Sequence, residues 1–267
     1  MEDVRANDDI KKNVHKTSNK RDTTLPVLKV SHIAMEVKGV SVFKHVTFTL
    51  NKGEIVVLVG PSGSGRTSIL KALAGLDKIT RGSIHFLTQK KPDQDLVTMV
   101  FDEPALFPWL TIEENMDLAL QHLPISEKDR EERIAETLDI VGLSGYEEEY
   151  PFELSRSLRM KASIARAFSL NPVVLLLDEP FGNLDALSRI ALKEELLRVV
   201  SDETPTQGIV MTTNSIEDAV FMADKIVVLD PDKGMKSLIN IDLERPRNLR
   251  SKKLEAYIDK VYGILLE

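Results

Sequence analysis

The chain has 267 residues, 42% of them apolar and 29% charged, with 35 basic residues against 42 acidic ones for a net charge of −7. That balance is the one of an ordinary globular protein with length for a sizeable core, and it argues against coating nucleic acid or anionic lipid through bulk positive charge. Cysteine is absent, which excludes disulfides, thiol catalysis and cysteine metal sites, and the five histidines show no pair at metal-ligand spacing.

Residues 1–24 are rich in Asp, Asn, Lys and Thr, their charges nearly cancel, and their few apolar positions keep no period. The expectation there is a disordered leader, with a docking arm for a partner as the alternative. The acidic start lacks the apolar stretch of a secretory signal, and the longest apolar runs of the chain are strand-length, short of a membrane span. Strand signals begin at Leu28. Val46–Leu50 alternates, Asn51-Lys52-Gly53 reads as a turn, and Ile55–Val59 is a continuous apolar run of the kind a buried strand shows. A glycine-rich loop follows, then a helix over Ser68–Leu76 and a strand over Leu96–Phe101. From about 103 to 170 the periodicity turns helical, with apolar residues three and four apart over Glu113–Leu123, Glu127–Val141 and Ser155–Ser169. Strands return at Val173–Leu177, Gly208–Thr212 and Lys225–Leu229, with helices near Leu187–Val200 and Ile216–Ala223. This alternation predicts an α/β fold built on a mostly parallel sheet covered on both faces, into which the helical block is inserted. At the end, Ser251–Glu267 places Leu254, Ile258, Val261, Leu265 and Leu266 on one helical stripe, which predicts packing against the body, with dimer contact as the alternative.

Two motifs carry chemistry. Gly60-Pro61-Ser62-Gly63-Ser64-Gly65 lies between a buried strand and a helix, where glycines let backbone N–H groups surround phosphate oxygens and the helix N-terminus adds partial positive charge. Arg66 occupies the cation position of the phosphate-loop frame, and the Thr67 hydroxyl stands where Mg²⁺ is held. The second motif is the apolar strand Val173–Leu177 ending in Asp178 and Glu179. Asp178 is the candidate Mg²⁺ ligand, and Glu179 the candidate general base toward an attacking water.

These segments and several others resemble the nucleotide-binding subunits of ATP-binding cassette (ABC) transporters, in particular the nitrate, sulfonate and taurine importer group. The resemblance covers about residues 28–250. It rests on GPSGSGRTS at Gly60–Ser68, the run from Phe101 to Asn115, the run from Tyr150 to Pro172, Leu175–Arg189, Thr212–Leu229 and ERPR at Glu244–Arg247. It implies a P-loop NTPase fold of the RecA-like type with an inserted helical subdomain at about 103–170 and an N-terminal antiparallel β portion. The domain itself spans 25–250, followed by a C-terminal helix at 251–267. It also implies ATP and Mg²⁺ as cofactors, a location on the cytoplasmic face of the cell membrane, and membrane permease subunits as partners. The permease would dock near Phe107 and Trp109; packing inside the helical insertion is the alternative for those two rings. A second cassette, identical or different, would complete the nucleotide site.

By that resemblance the site residues are Gly60, Ser62, Gly63, Ser64, Gly65, Arg66, Thr67, Ser68, Ser155, Arg156 and Asp185 for nucleotide; Thr67, Asp178 and Asp102 for the metal; and Glu179, Asn214 and Asp102 for catalysis. The departures from the family pattern concern most of the residues that would handle ATP. Arg66 replaces the loop lysine, and its planar fork places charge differently. Asp102 stands for the glutamine that senses metal and water. Leu154-Ser155-Arg156-Ser157-Leu158 replaces LSGGQ, with side chains where paired glycines let backbone approach the partner's phosphate. Asn214 replaces the switch histidine, and Val37 falls near the position of an aromatic that stacks on adenine. Each lost transition-state contact is worth on the order of 10²–10³ in rate. The expectation is therefore an importer ATP-binding subunit that binds MgATP with weak or absent hydrolysis, the alternative being a non-catalytic cassette paired with an intact one.

Overall fold

The structure, a computed structural model, describes residues 25–182, 184–200, 205–232, 234–248 and 250–267, so the expected leader at 1–24 lies outside the described residues. Two sheets organise it. The first is antiparallel, in the order β2-β1-β4, from β1 (Pro26–Val37), β2 (Val40–Asn51) and β4 (Arg81–Phe86). The second runs β5-β6-β7-β3-β8-β9, from β3 (Glu54–Val59), β5 (Val97–Val100), β6 (Val174–Leu177), β7 (Gly208–Thr212), β8 (Lys225–Asp230) and β9 (Gly234–Asn240). Its pairings are parallel except β8 with β9. Strands β4 and β9 escape the sequence reading. Arg81–Phe86 is partly exposed and holds a glycine and an arginine, and Gly234–Asn240 alternates burial too weakly to mark a strand.

The continuous apolar run of β3 is explained by burial on both faces of the parallel sheet. Ile55, Val57 and Val59 face one core, while Val56 and Leu58 face another. The first core is closed by α4 (Arg156–Ser169), α5 (Ala186–Val199), α6 (Ile216–Met222) and α7 (Lys252–Leu266). The second is closed by α1 (Arg66–Leu73) and by the apolar faces of β1 and β2, so strands cover much of the face opposite the helices. Between β5 and β6 lie α2 (Ile112–Leu120), α3 (Glu127–Ile140) and α4, with a core of their own. Helix α4 belongs to both layers. Met160, Ile164 and Phe168 pack toward the sheet, and Ala162 and Ala165 toward α2 and α3. The C-terminal stripe packs as expected through Leu254, Ile258, Val261 and Leu265. Leu266 is a correction: it is 86% exposed, because the last turn of α7 carries it off the buried face.

Candidate functional site

Strands β6, β7, β3 and β5 run parallel, so their C-terminal ends open on one edge of the sheet, where ligands of such folds collect. Four loops leave that edge. Residues 60–65 follow β3, Phe101-Asp102 follow β5, Asp178-Glu179 follow β6 and Thr213-Asn214 follow β7. The parallel sheet thus gathers residues that lie more than a hundred positions apart in the chain.

The first loop has the backbone of a phosphate cradle. Gly65 has φ +84°, and a Cβ there would stand 2.7 Å from the Val42 carbonyl oxygen, so only glycine fits where the loop turns into α1. A Cβ on Gly60 would meet the Leu229 carbonyl oxygen and the Ser64 hydroxyl, each at 2.7 Å. Ser64 is buried and its Oγ lacks a hydrogen-bond partner among the described residues, while Ser62 and Gly63 are exposed at the rim. Thr67 and Ser68 fall in the first turn of α1, and the Thr67 hydroxyl donates to Asp178 Oδ1 at 3.2 Å. This arrangement fits the phosphates of a nucleotide. It also fits a hard divalent cation held by the Thr67 hydroxyl and the Asp178 carboxylate, with water and phosphate oxygens as the remaining ligands. Among the described residues no group of three or more His, Cys, Asp or Glu side chains gathers to bind a metal by itself.

The acidic pair is fixed from β7. Thr212 donates its hydroxyl to Asp178 Oδ1 at 2.6 Å and accepts the Glu179 backbone N–H at 2.9 Å, so one threonine sets both acids. Sequence reasoning does not single out Thr212. The available signal is a hydroxyl residue closing the otherwise apolar run Gly208–Thr212. Glu179 itself has φ +46°, a left-handed conformation that is strained for a side chain of this size.

Arg66 reaches across the loop to these same segments. Its Nη1 donates to the Thr213 carbonyl oxygen at 2.9 Å, its Nη2 donates to Asn214 Oδ1 at 2.5 Å, and Nη2 lies 3.4 Å from Glu179 Oε1. The Asn214 N–H donates to Glu179 Oε2 at 3.0 Å. Burial pushes the Glu179 carboxyl above the usual range, against the opposing pull of Arg66 and of the Asn214 N–H; Asp178 and Asp102 add to the rise. Asp102 is exposed and acts on Glu179 through its charge.

The remaining candidates sit elsewhere. Asp185 caps α5, accepting the Leu187 and Ser188 N–H groups at 3.0 Å each and the Ser188 hydroxyl, and these bonds hold its carboxyl below the usual range. Ser155 caps α4 through the Leu158 N–H, with Arg156 exposed beside it. Both lie at the start of α4, apart from the hydrogen-bond network that joins Arg66, Asp178, Glu179 and Asn214. Val37 ends β1 opposite Val40 at a hairpin tip, and both are exposed. Phe107 and Trp109 are 40% and 68% exposed with ring centroids 5.5 Å apart, so the alternative of packing inside the helical layer does not describe Trp109.

A family model described as ABC transporter matches residues 43–182. The chain is 34% identical to an uncharacterized ABC transporter ATP-binding protein of Methanocaldococcus jannaschii, over 92% of this chain and 94% of that protein. It is 35% identical to the aliphatic sulfonates import ATP-binding protein SsuB of Bacillus thuringiensis subsp. konkukian, over 89% of this chain and 94% of that protein. Among solved structures, a dimeric ATP-binding cassette in a post-hydrolysis state with ADP and Pi superimposes with a TM-score of 0.71 at 25% identity, covering 81% of this chain and all of that one.

Proposed function

The chain belongs to the ATP-binding proteins of ABC transporters, and from that premise we propose that it is the MgATP-binding subunit of an importer whose own hydrolysis is weak or absent. Importer rather than exporter follows the sulfonate import protein that it resembles along most of its length. Gly60–Ser68 would receive the phosphates, Thr67 and Asp178 the metal, and ATP would favour pairing with a second cassette. Phe107 and Trp109 would anchor a permease segment as exposed aromatic residues. The chain would then lie on the cytoplasmic face of the membrane; among the described residues no helix is long and apolar enough to cross it.

The observation that carries the reading of slow hydrolysis is the engagement of Arg66. A glycine-rich loop and two acids meet at the sheet edge, yet the loop cation is engaged with Thr213, Asn214 and Glu179, contacts that must break before it can serve a phosphate. Arg156 and Ser157, exposed and half-buried at the start of α4, favour a second reading of the same fold. In that reading the chain is a non-catalytic cassette whose intact partner supplies the turnover. Steady-state phosphate release by the purified chain with MgATP tests the proposal. The expected rate is far below one turnover per second. Turnover of several per second, abolished by Glu179→Gln, would overturn it.

A further inference from the structure

We infer that Arg66 and Asn214 form a latch, closing the phosphate loop onto the segment after β7 until a ligand phosphate takes the guanidinium away. The inference rests on the reading of residues 60–68 as a phosphate site and assigns that site its own competitor. A guanidinium can only donate, so it must find oxygen acceptors. Here it has found two within bonding distance, the Thr213 carbonyl and the Asn214 amide oxygen, and a carboxylate oxygen of Glu179 beyond them. Asn214 completes the ring from the other side, since its backbone N–H donates to the second Glu179 oxygen. The Arg66 side chain is only 11% exposed, so water does little to weaken these contacts.

Two consequences follow. A nucleotide phosphate draws on the same N–H groups of Arg66, so binding exchanges one set of charge-assisted bonds for another and gains less than the cradle alone would give. Glu179 meanwhile keeps a cation beside it whenever the latch is closed, and it is freed as a base only when Arg66 leaves. Arg66 and Asn214 thus act as positioning residues toward Glu179, and their effects are coupled rather than additive.

Calorimetric titration of the full chain with ADP tests this, because ADP lacks the terminal phosphate that Asn214 would otherwise meet. Asn214→Ala should tighten ADP binding roughly tenfold or more, the worth of one released hydrogen bond to a charged group. The same substitution in the Arg66→Lys background should give no such gain. Amide exchange of residues 212–216 in nucleotide-free protein should be faster in either single variant. Should Asn214→Ala fold poorly, Asn214→Ser carries the same expectation. Unchanged or weaker ADP binding by the single variant, or an equal gain in the Arg66→Lys background, overturns the latch alone. A folded wild-type chain that does not bind ADP overturns the nucleotide site and the latch with it.

Discussion

At Glu179 a partly buried carboxylate faces one arginine, one backbone N–H and two other acids. Desolvation is the strongest of these influences, and it leaves the folded-state pKa above the unfolded one. The folded chain therefore favours the protonated form. The group's stabilising contribution is complete below the ordinary glutamate range near ~4.3 and is lost as pH rises through the raised value. Glu179→Gln, which cannot ionise, should melt a few degrees higher than wild type at pH 7–8, with the difference fading toward pH 4. Thermal melts across that range check it, and a pH-independent difference would show that packing, not charge, sets the effect. At this scale much of the site is legible in the sequence. Gly60–Thr67 and Asp178-Glu179 announce themselves by residue type and by the apolar strands before them. Thr212 does not, because a threonine ending a strand looks like any other until β7 is known to lie between β6 and β3.

Helix α2 shows how an element carries a surface loop. Thr111 and Glu114 form a reciprocal cap, Thr111 Oγ1 accepting the Glu114 N–H at 3.2 Å and Glu114 Oε2 accepting the Thr111 N–H at 2.8 Å. One turn on, buried Asn115 reaches back into the loop. Its Oδ1 accepts the Phe107 N–H at 2.8 Å, and its Nδ2 donates to the carbonyl oxygens of Phe107, Leu110 and Thr111 at 3.1, 3.1 and 2.8 Å. Arg166 of α4 donates to the Ala105 carbonyl oxygen at 2.7 Å and stacks over Phe107. Asn115→Ala should cost about 2–3 kcal/mol, since it strands buried backbone groups at both ends of the loop. It should also speed amide exchange across residues 105–111 more than elsewhere. The periodicity places Asn115 on a helix but not its role, which depends on a loop folding back over the helix start.

For the molecule as a whole, the helical layer presents Phe107 and Trp109 outward while the sheet edge holds the polar network. Trp109 is 68% exposed, so Trp109→Ala should change stability by less than about 0.5 kcal/mol and leave ADP affinity unaltered. If the loop docks a permease, the same change should abolish co-purification of the chain with its membrane subunits from the native host. A large drop in melting temperature would instead show that the ring belongs to the fold. Helix α4, packed into both the sheet core and the helical core, is the physical link between the two layers.

Local chemistry and period determined the α/β alternation, the helical block, the glycine-rich loop and the acidic pair, because glycine, hydroxyl and carboxylate residues next to apolar strands declare themselves within a few positions. Tertiary structure decided the rest. It chose the strand order that puts β7 between β6 and β3, added the edge strands β4 and β9, and laid an antiparallel sheet over one face of the core. It also turned Arg66 onto Thr213, Asn214 and Glu179 rather than leaving it open to solvent. Those outcomes depend on groups up to about 150 residues apart meeting at one edge, and no local pattern encodes a hydrogen bond between partners that only the folded sheet brings together.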